Sequence, residues 1–67
     1  MYKINIKTVQ KGDILLYIPP HLAICASNGQ KCSVTMIDRR KNRIWMKFNG
    51  PNGELTPINR LWKCQRH

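Results

Sequence analysis

Apolar and polar residues alternate along much of this chain with a period of two, the spacing that sends successive side chains to opposite faces of a strand. Ser33-Val34-Thr35-Met36-Ile37 and Ile44-Trp45-Met46-Lys47-Phe48 are the strongest such runs, and Tyr2, Ile4 and Ile6 alternate with Lys3, Asn5 and Lys7 in a weaker one. Ile14-Leu15-Leu16-Tyr17-Ile18 is almost wholly apolar and too short for a helix, so it predicts a well-buried strand. Pro19-Pro20 ends it, because neither proline can donate to a strand ladder. Leu22 to Ala26 predicts another short strand, closed by Ser27-Asn28-Gly29-Gln30, whose Asn-Gly pair signals a hairpin turn. Lys11-Gly12-Asp13 and Asn49-Gly50-Pro51-Asn52-Gly53 read as turns. Glu54-Leu55-Thr56 starts a return strand. Thr56 to Leu61 then reads as one helical turn, with Pro57 in first position after a threonine cap, and Trp62-Lys63-Cys64 as a final strand.

The two strong runs flank Asp38-Arg39-Arg40-Lys41-Asn42-Arg43, a basic turn. If Val34 and Met36 face the core together with Ile44, Met46 and Phe48, inward residues must oppose one another. A three-residue loop, Arg40-Lys41-Asn42, satisfies this by pairing Met36 with Met46 and Val34 with Phe48. The last residue of such a loop is left-handed, which asparagine tolerates best after glycine. Arg43, Trp45 and Lys47 are left on the outer face, alternating cation, aromatic, cation.

About five strands joined by short turns in 67 residues predict an all-β fold, a small barrel whose closure removes exposed edges. One domain, 1–67, fits this length. Lys11-Gly12-Asp13 before an apolar strand, a glycine-containing hairpin, a long central hairpin and a single turn before the last strand resemble the SH3-like small β-barrels. The Tudor and KOW-type domains belong to that group. Over about residues 9–64 the resemblance implies a five-stranded barrel with one short 3-10 turn near the C-terminus. Gly29, Lys31, Val34 and Ile37 loosely fit the KOW pattern. Barrels of this kind bind RNA, DNA, peptides or neighbouring subunits, so the fold alone does not choose a partner.

Charge narrows the choice. Twelve lysines and arginines stand against three acids, Asp13, Asp38 and Glu54, for a net charge of +9. The cations run from Lys3 to Arg66 and are not confined to a tail. Such a charge raises encounter rates with polyanions, and it repels the methylated cations that Tudor-type cages take. Arg39, Arg40, Lys41 and Arg43 at the hairpin tip, with Trp45 and Lys47 behind them, form the candidate nucleic-acid-binding surface. Cations would meet phosphates, and the indole would offer a base a face to stack on. An acidic protein docked on the same hairpin is the alternative partner. Tyr17, Trp45 and Trp62 would then line a peptide or subunit groove, whereas Trp62, next to Leu61, otherwise reads as core or a barrel-end plug.

The remaining chemistry is sparse. Cys25, Cys32 and Cys64 are odd in number and contain no Cys-x-x-Cys pair, which predicts buried, inert thiols and a reducing, cytoplasmic setting. A zinc site would have to recruit His21 or His67, at wider spacing than structural zinc uses, so no metal or other cofactor is expected. The acids are scattered, no nucleophile–base set has a recognisable spacing, and Gly50-x-x-Gly53 lacks the lysine and helix of a P-loop, so an enzyme is not expected. Leu22-Ala23-Ile24-Cys25 faintly resembles a lipoprotein cleavage box, but Ile24 is too large for it, and Asp13 and Pro19-Pro20-His21 interrupt the apolar run. No stretch reaches the roughly 20 apolar residues of a membrane span.

Overall fold

The computed structural model describes residues 2–50 and 52–64. Each alternating run becomes a strand: β1 (Tyr2–Lys3), β2 (Ile14–Tyr17), β3 (Gln30–Asp38), β4 (Arg43–Lys47), β5 (Glu54–Thr56) and β6 (Leu61–Lys63). All pairings are antiparallel, in one sheet of order β1-β6-β2-β3-β4-β5. Short 3-10 turns occupy Ala26–Asn28 and Ile58–Arg60. The chain is therefore all-β, but the closed five-stranded barrel expected from the pattern is not formed. The sheet has six strands and is open, with β1 and β5 at its edges. Closure would require those two edges to pair, and β1 stops after two residues because Asn5 turns the chain away. The Asn5 carbonyl accepts the N–H groups of Thr8 and Val9, both at 3.0 Å, and its Oδ1 accepts that of Lys7 at 3.0 Å.

Alternation along the strands supplies the core. Leu15, Cys32, Val34, Ile44, Met46 and Leu61 point to one face and, with Val9 from the turn after β1, form a single buried cluster. Ile4, Ile6, Tyr17, Ile37, Phe48 and Ile58 pack around it. Among the described residues no α-helix covers this face, so the two halves of the sheet must cover each other. β3 makes this feasible: its nine residues pair with β2 at one end and β4 at the other. The turn at Gly12, whose φ is 95°, lengthens the β2–β3 ladder through Gly12 N–H to Val34 O (2.8 Å) and Val34 N–H to Asp13 O (2.9 Å).

The basic hairpin corrects the parity expectation. Its loop has four residues, Arg39 to Asn42, and the pairs run Asp38↔Arg43, Ile37↔Ile44 and Met36↔Trp45, then Val34↔Met46 and Ser33↔Lys47. Met36 thus lies across from Trp45 and is 51% exposed instead of facing the core, and Val34 meets Met46 instead of Phe48. An even loop and an inward Val34 are compatible because Thr35 is an extra residue, a β-bulge that resets the alternation. The Thr35 hydroxyl donates to the Trp45 carbonyl at 3.0 Å and fixes the bulge. Asn42 is left-handed, φ 52°, as the loop chemistry predicts.

Gly53 lies against that bulge. A Cβ there would overlap Thr35 Oγ1 and come within 3.5 Å of the Trp45 Cβ. Gly53→Ala is therefore expected to cost about 1–3 kcal/mol through overpacking. Adding Thr35→Ala removes the hydroxyl and should return part of the loss. Thermal denaturation of both variants checks this; a wild-type melting temperature for Gly53→Ala would mean the loop shifts freely.

Three smaller expectations also change. Leu22 to Ala26 is not a strand; the segment is exposed and turns, held by Asn28 Nδ2 donating to Ala23 O at 2.9 Å. The Asn-Gly pair consequently closes a 3-10 turn rather than a hairpin, and brings Gly29 down on the Leu16 side chain. Thr56 caps nothing: it is a buried strand residue opposite Ile44 whose hydroxyl donates to Glu54 O at 2.9 Å, and Pro57 opens the turn. The last strand is Leu61–Lys63, one residue earlier than the pattern suggests.

Candidate functional site

The pleat of β4 sends Ile44 and Met46 into the core and Arg43, Trp45 and Lys47 outward, with neighbours on that face roughly 7 Å apart along the strand. Pairing then sets what lies beside each. Asp38 is opposite Arg43, Ser33 opposite Lys47, and Ile14 on β2 is opposite Ser33. Trp45 lies between Met36 on β3 and Leu55 on β5, its registered partners on either side. Met36, Leu55 and Ile14 are 51%, 55% and 58% exposed, while Trp45 is half-buried, its base held by Thr35 and Gly53. Tyr17 is elsewhere: its ring meets Phe48 edge-on, centroids 5.3 Å apart, at the rim of the core. Tyr17 lines a cavity with Phe48, Leu55 and Pro57, and Trp45 is not among the residues of that lining.

At the tip, Asp38 Oδ1 accepts the Lys41 N–H at 3.3 Å and ties the loop together. Arg39 turns back, its Nη2 donating to the Val9 carbonyl at 2.6 Å. Arg40, Lys41, Arg43 and Lys47 are exposed. The six predicted residues therefore fall into three groups. Arg43, Trp45 and Lys47 share one face, Arg40 and Lys41 project from the tip, and Arg39 is partly occupied with the fold.

Most of the few acids are engaged with the backbone. Two of the three acids bind backbone N–H groups: Asp38 that of Lys41, and Asp13 Oδ2 that of Gln10 at 2.9 Å. Where cationic side chains of the described residues make hydrogen bonds, as Arg39 and Arg60 do, the acceptors are backbone carbonyls. Asp13 and Asp38 thus hold turns, and Asp38 also faces Arg43 across the hairpin.

Sequence reasoning missed Met36, Leu55 and Ile14 as surface residues. Only the bulge turns Met36 outward, and no local signal marks a bulge at Thr35. Leu55 misleads by its pattern, since alternation with Glu54 and Thr56 would send the leucine inward, whereas Thr56 is the buried residue. Trp62 is half-buried beside Leu16 and Lys3, with its indole N–H enclosed and unpartnered.

The thiols differ from expectation. Cys25 and Cys64 are exposed and only Cys32 is buried. Burial, with a smaller effect from Cys64, pushes the Cys32 thiol up to about 11, whereas hydrogen bonding to the Ser27 hydroxyl, 3.1 Å away, lowers that of Cys25. An aromatic disulfide reagent at pH 8 should therefore titrate two thiols rapidly and the third only on unfolding. The unfolded chain ionises Cys32 first, so the stability this thiol contributes is complete below about pH 9 and is lost as the pH rises toward 11. Three rapid thiols in the native protein would contradict the burial of Cys32. No three His, Cys, Asp or Glu side chains converge among the described residues; His67 and Arg66 lie outside them. No described helix is long and apolar enough to cross a membrane.

Comparison of the chain with family models, with curated proteins and with solved structures returns no match.

Proposed function

We propose that this chain is a small basic nucleic-acid-binding protein of the cytoplasm, not an enzyme. It would contact phosphates through Arg40, Lys41, Arg43 and Lys47, with Arg39 contributing less, and stack on Trp45. The long central hairpin and the single turn before the last strand, features that resemble the SH3-like barrels, fit a binding module of this type. The observation that carries the reading is the outer face of β4. There Trp45 sits between Arg43 and Lys47, in a protein whose +9 charge is not neutralised by its own acids. Phosphates supply the countercharge such a surface lacks, and the indole supplies a contact a simple counterion cannot use.

An acidic protein on the same face is the second reading, favoured by the exposed Met36 and Leu55. Fluorescence anisotropy with labelled oligonucleotides, DNA and RNA, at 50 and 200 mM salt tests the proposal. Micromolar or tighter binding that weakens steeply with salt supports it, and absence of binding at the lower salt refutes it.

A further inference from the structure

Across the outer face, Met36, Trp45 and Leu55 form a row at right angles to the strands, one residue from each of β3, β4 and β5. Neighbouring strands lie about 4.8 Å apart, so the row is roughly 10 Å long from Cα to Cα. Both flanking side chains are more than half exposed. Arg43 stands on one side of this apolar row and Lys47 on the other. From this arrangement, and resting on the nucleic-acid reading above, we infer that the preferred ligand is an unpaired strand. Its bases would lie on Met36, Trp45 and Leu55 and its phosphates at Arg43 and Lys47.

The chemistry distinguishes the two forms of the polymer. In a duplex every base face is already covered by the next pair, and only groove edges and phosphates are offered. A duplex meets aliphatic and thioether groups only at thymine methyls or where base steps are wedged apart, so an apolar row flat on a sheet face finds little on it to cover. An unpaired base has an uncovered π-face and an apolar body, which a half-buried indole and its neighbours can desolvate. The backbone that carries the indole is held in place: Thr35 bonds the Trp45 carbonyl, and Gly53 packs against the bulge. Such a fixed strand segment needs no backbone rearrangement to present the ring. Met36 and Leu55 belong to the site on this view, although neither carries charge.

The test uses three probes of equal length: a deoxythymidine 12-mer, an abasic 12-mer with the same phosphates, and a 12-base-pair duplex. The base-bearing single strand should bind roughly ten- to hundredfold more tightly than the abasic one. Trp45→Phe should keep most of that preference, while Trp45→Leu, which retains an apolar side chain but no ring, should abolish it. Circular dichroism verifies that both variants are folded, and the comparison of probes on the wild-type protein stands without them. Equal affinity for all three probes, or a preference for the duplex, overturns the unpaired-strand assignment while leaving nucleic-acid binding intact. A preference that survives Trp45→Leu overturns the placement of bases on this row. No binding to any probe at 50 mM salt, with binding to an acidic, aromatic-containing peptide instead, overturns both readings in favour of a protein partner.

Discussion

Raising salt from 50 to 200 mM is expected to weaken oligonucleotide binding roughly 100- to 500-fold, if about five phosphates are neutralised. Released counterions give a slope of log K against log salt near −3.5 on single strands and −4.5 on duplex for that number of contacts. Exchanging Arg40, Lys41, Arg43 or Lys47 for Gln should each flatten the slope by about one and weaken binding to all sequences alike. Arg39→Gln should flatten it less, because one arm of that guanidinium already serves the Val9 carbonyl. The quadruple variant lacking the four other cations should bind so weakly at 150 mM salt that no saturation is reached. Because those four side chains are exposed, its circular dichroism spectrum should match wild type. Salt-insensitive binding, or an unchanged slope in the quadruple variant, would dispose of the phosphate-contact mechanism.

The same arrangement has a consequence for the ligand-free protein. At a net charge of +9 the chain repels itself, and this self-repulsion opposes compaction. A polyanion that binds only the folded chain both relieves the repulsion and stabilises by mass action. On the proposed reading, binding and stability would be coupled more tightly than in a domain of balanced charge. The short edge strands are consistent with that coupling, since β1 and β5 together contribute only five residues to the sheet.

The alternation of Val34, Ile44 and Met46 made the central hairpin legible in sequence, and Asn42 marked its turn. The register was not legible, because an odd loop and an even loop with one bulge satisfy the same inward positions. Thr35 decides between them through a hydrogen bond to a backbone carbonyl ten residues away. Barrel closure was illegible for a related reason. Tyr2, Ile4 and Ile6 alternate as a strand would, yet Asn5 captures three N–H groups and bends the chain before β1 can lengthen. The cations Arg43 and Lys47 and the aromatic Trp45 could be placed on one face from period alone. Their apolar neighbours could not, since Met36 reaches that face only through the bulge. Arg60 was the furthest from view: it counted as one more positive charge, and its carbonyl acceptors lie about forty residues upstream.

Arg60→Ala should destabilise the protein by about 3 kcal/mol, the largest single loss expected from any of its cations. Nε of Arg60 donates to Ile18 O at 2.7 Å, and Nη2 donates to Pro19 O and, at 3.1 Å, to Leu22 O. Its own carbonyl accepts the Ile18 N–H at 3.0 Å, so the residue clamps the chain where β2 ends from both backbone and side chain. Ile18 is fully buried, so truncation leaves its carbonyl short of a partner in apolar surroundings, whereas the exposed Leu22 carbonyl can rehydrate. For a domain of this size 1 kcal/mol moves the midpoint by roughly 4–8 °C, so a fall of roughly 12–24 °C is expected. Lysine should rescue little, since one ammonium cannot span acceptors that the planar guanidinium reaches together. Arg40→Ala, which removes the same charge from an exposed tip, should leave the midpoint near wild type or raise it by easing repulsion. Scanning calorimetry of the three variants separates the roles. A midpoint for Arg60→Ala within a few degrees of Arg40→Ala would mean the clamp contributes nothing that water cannot replace.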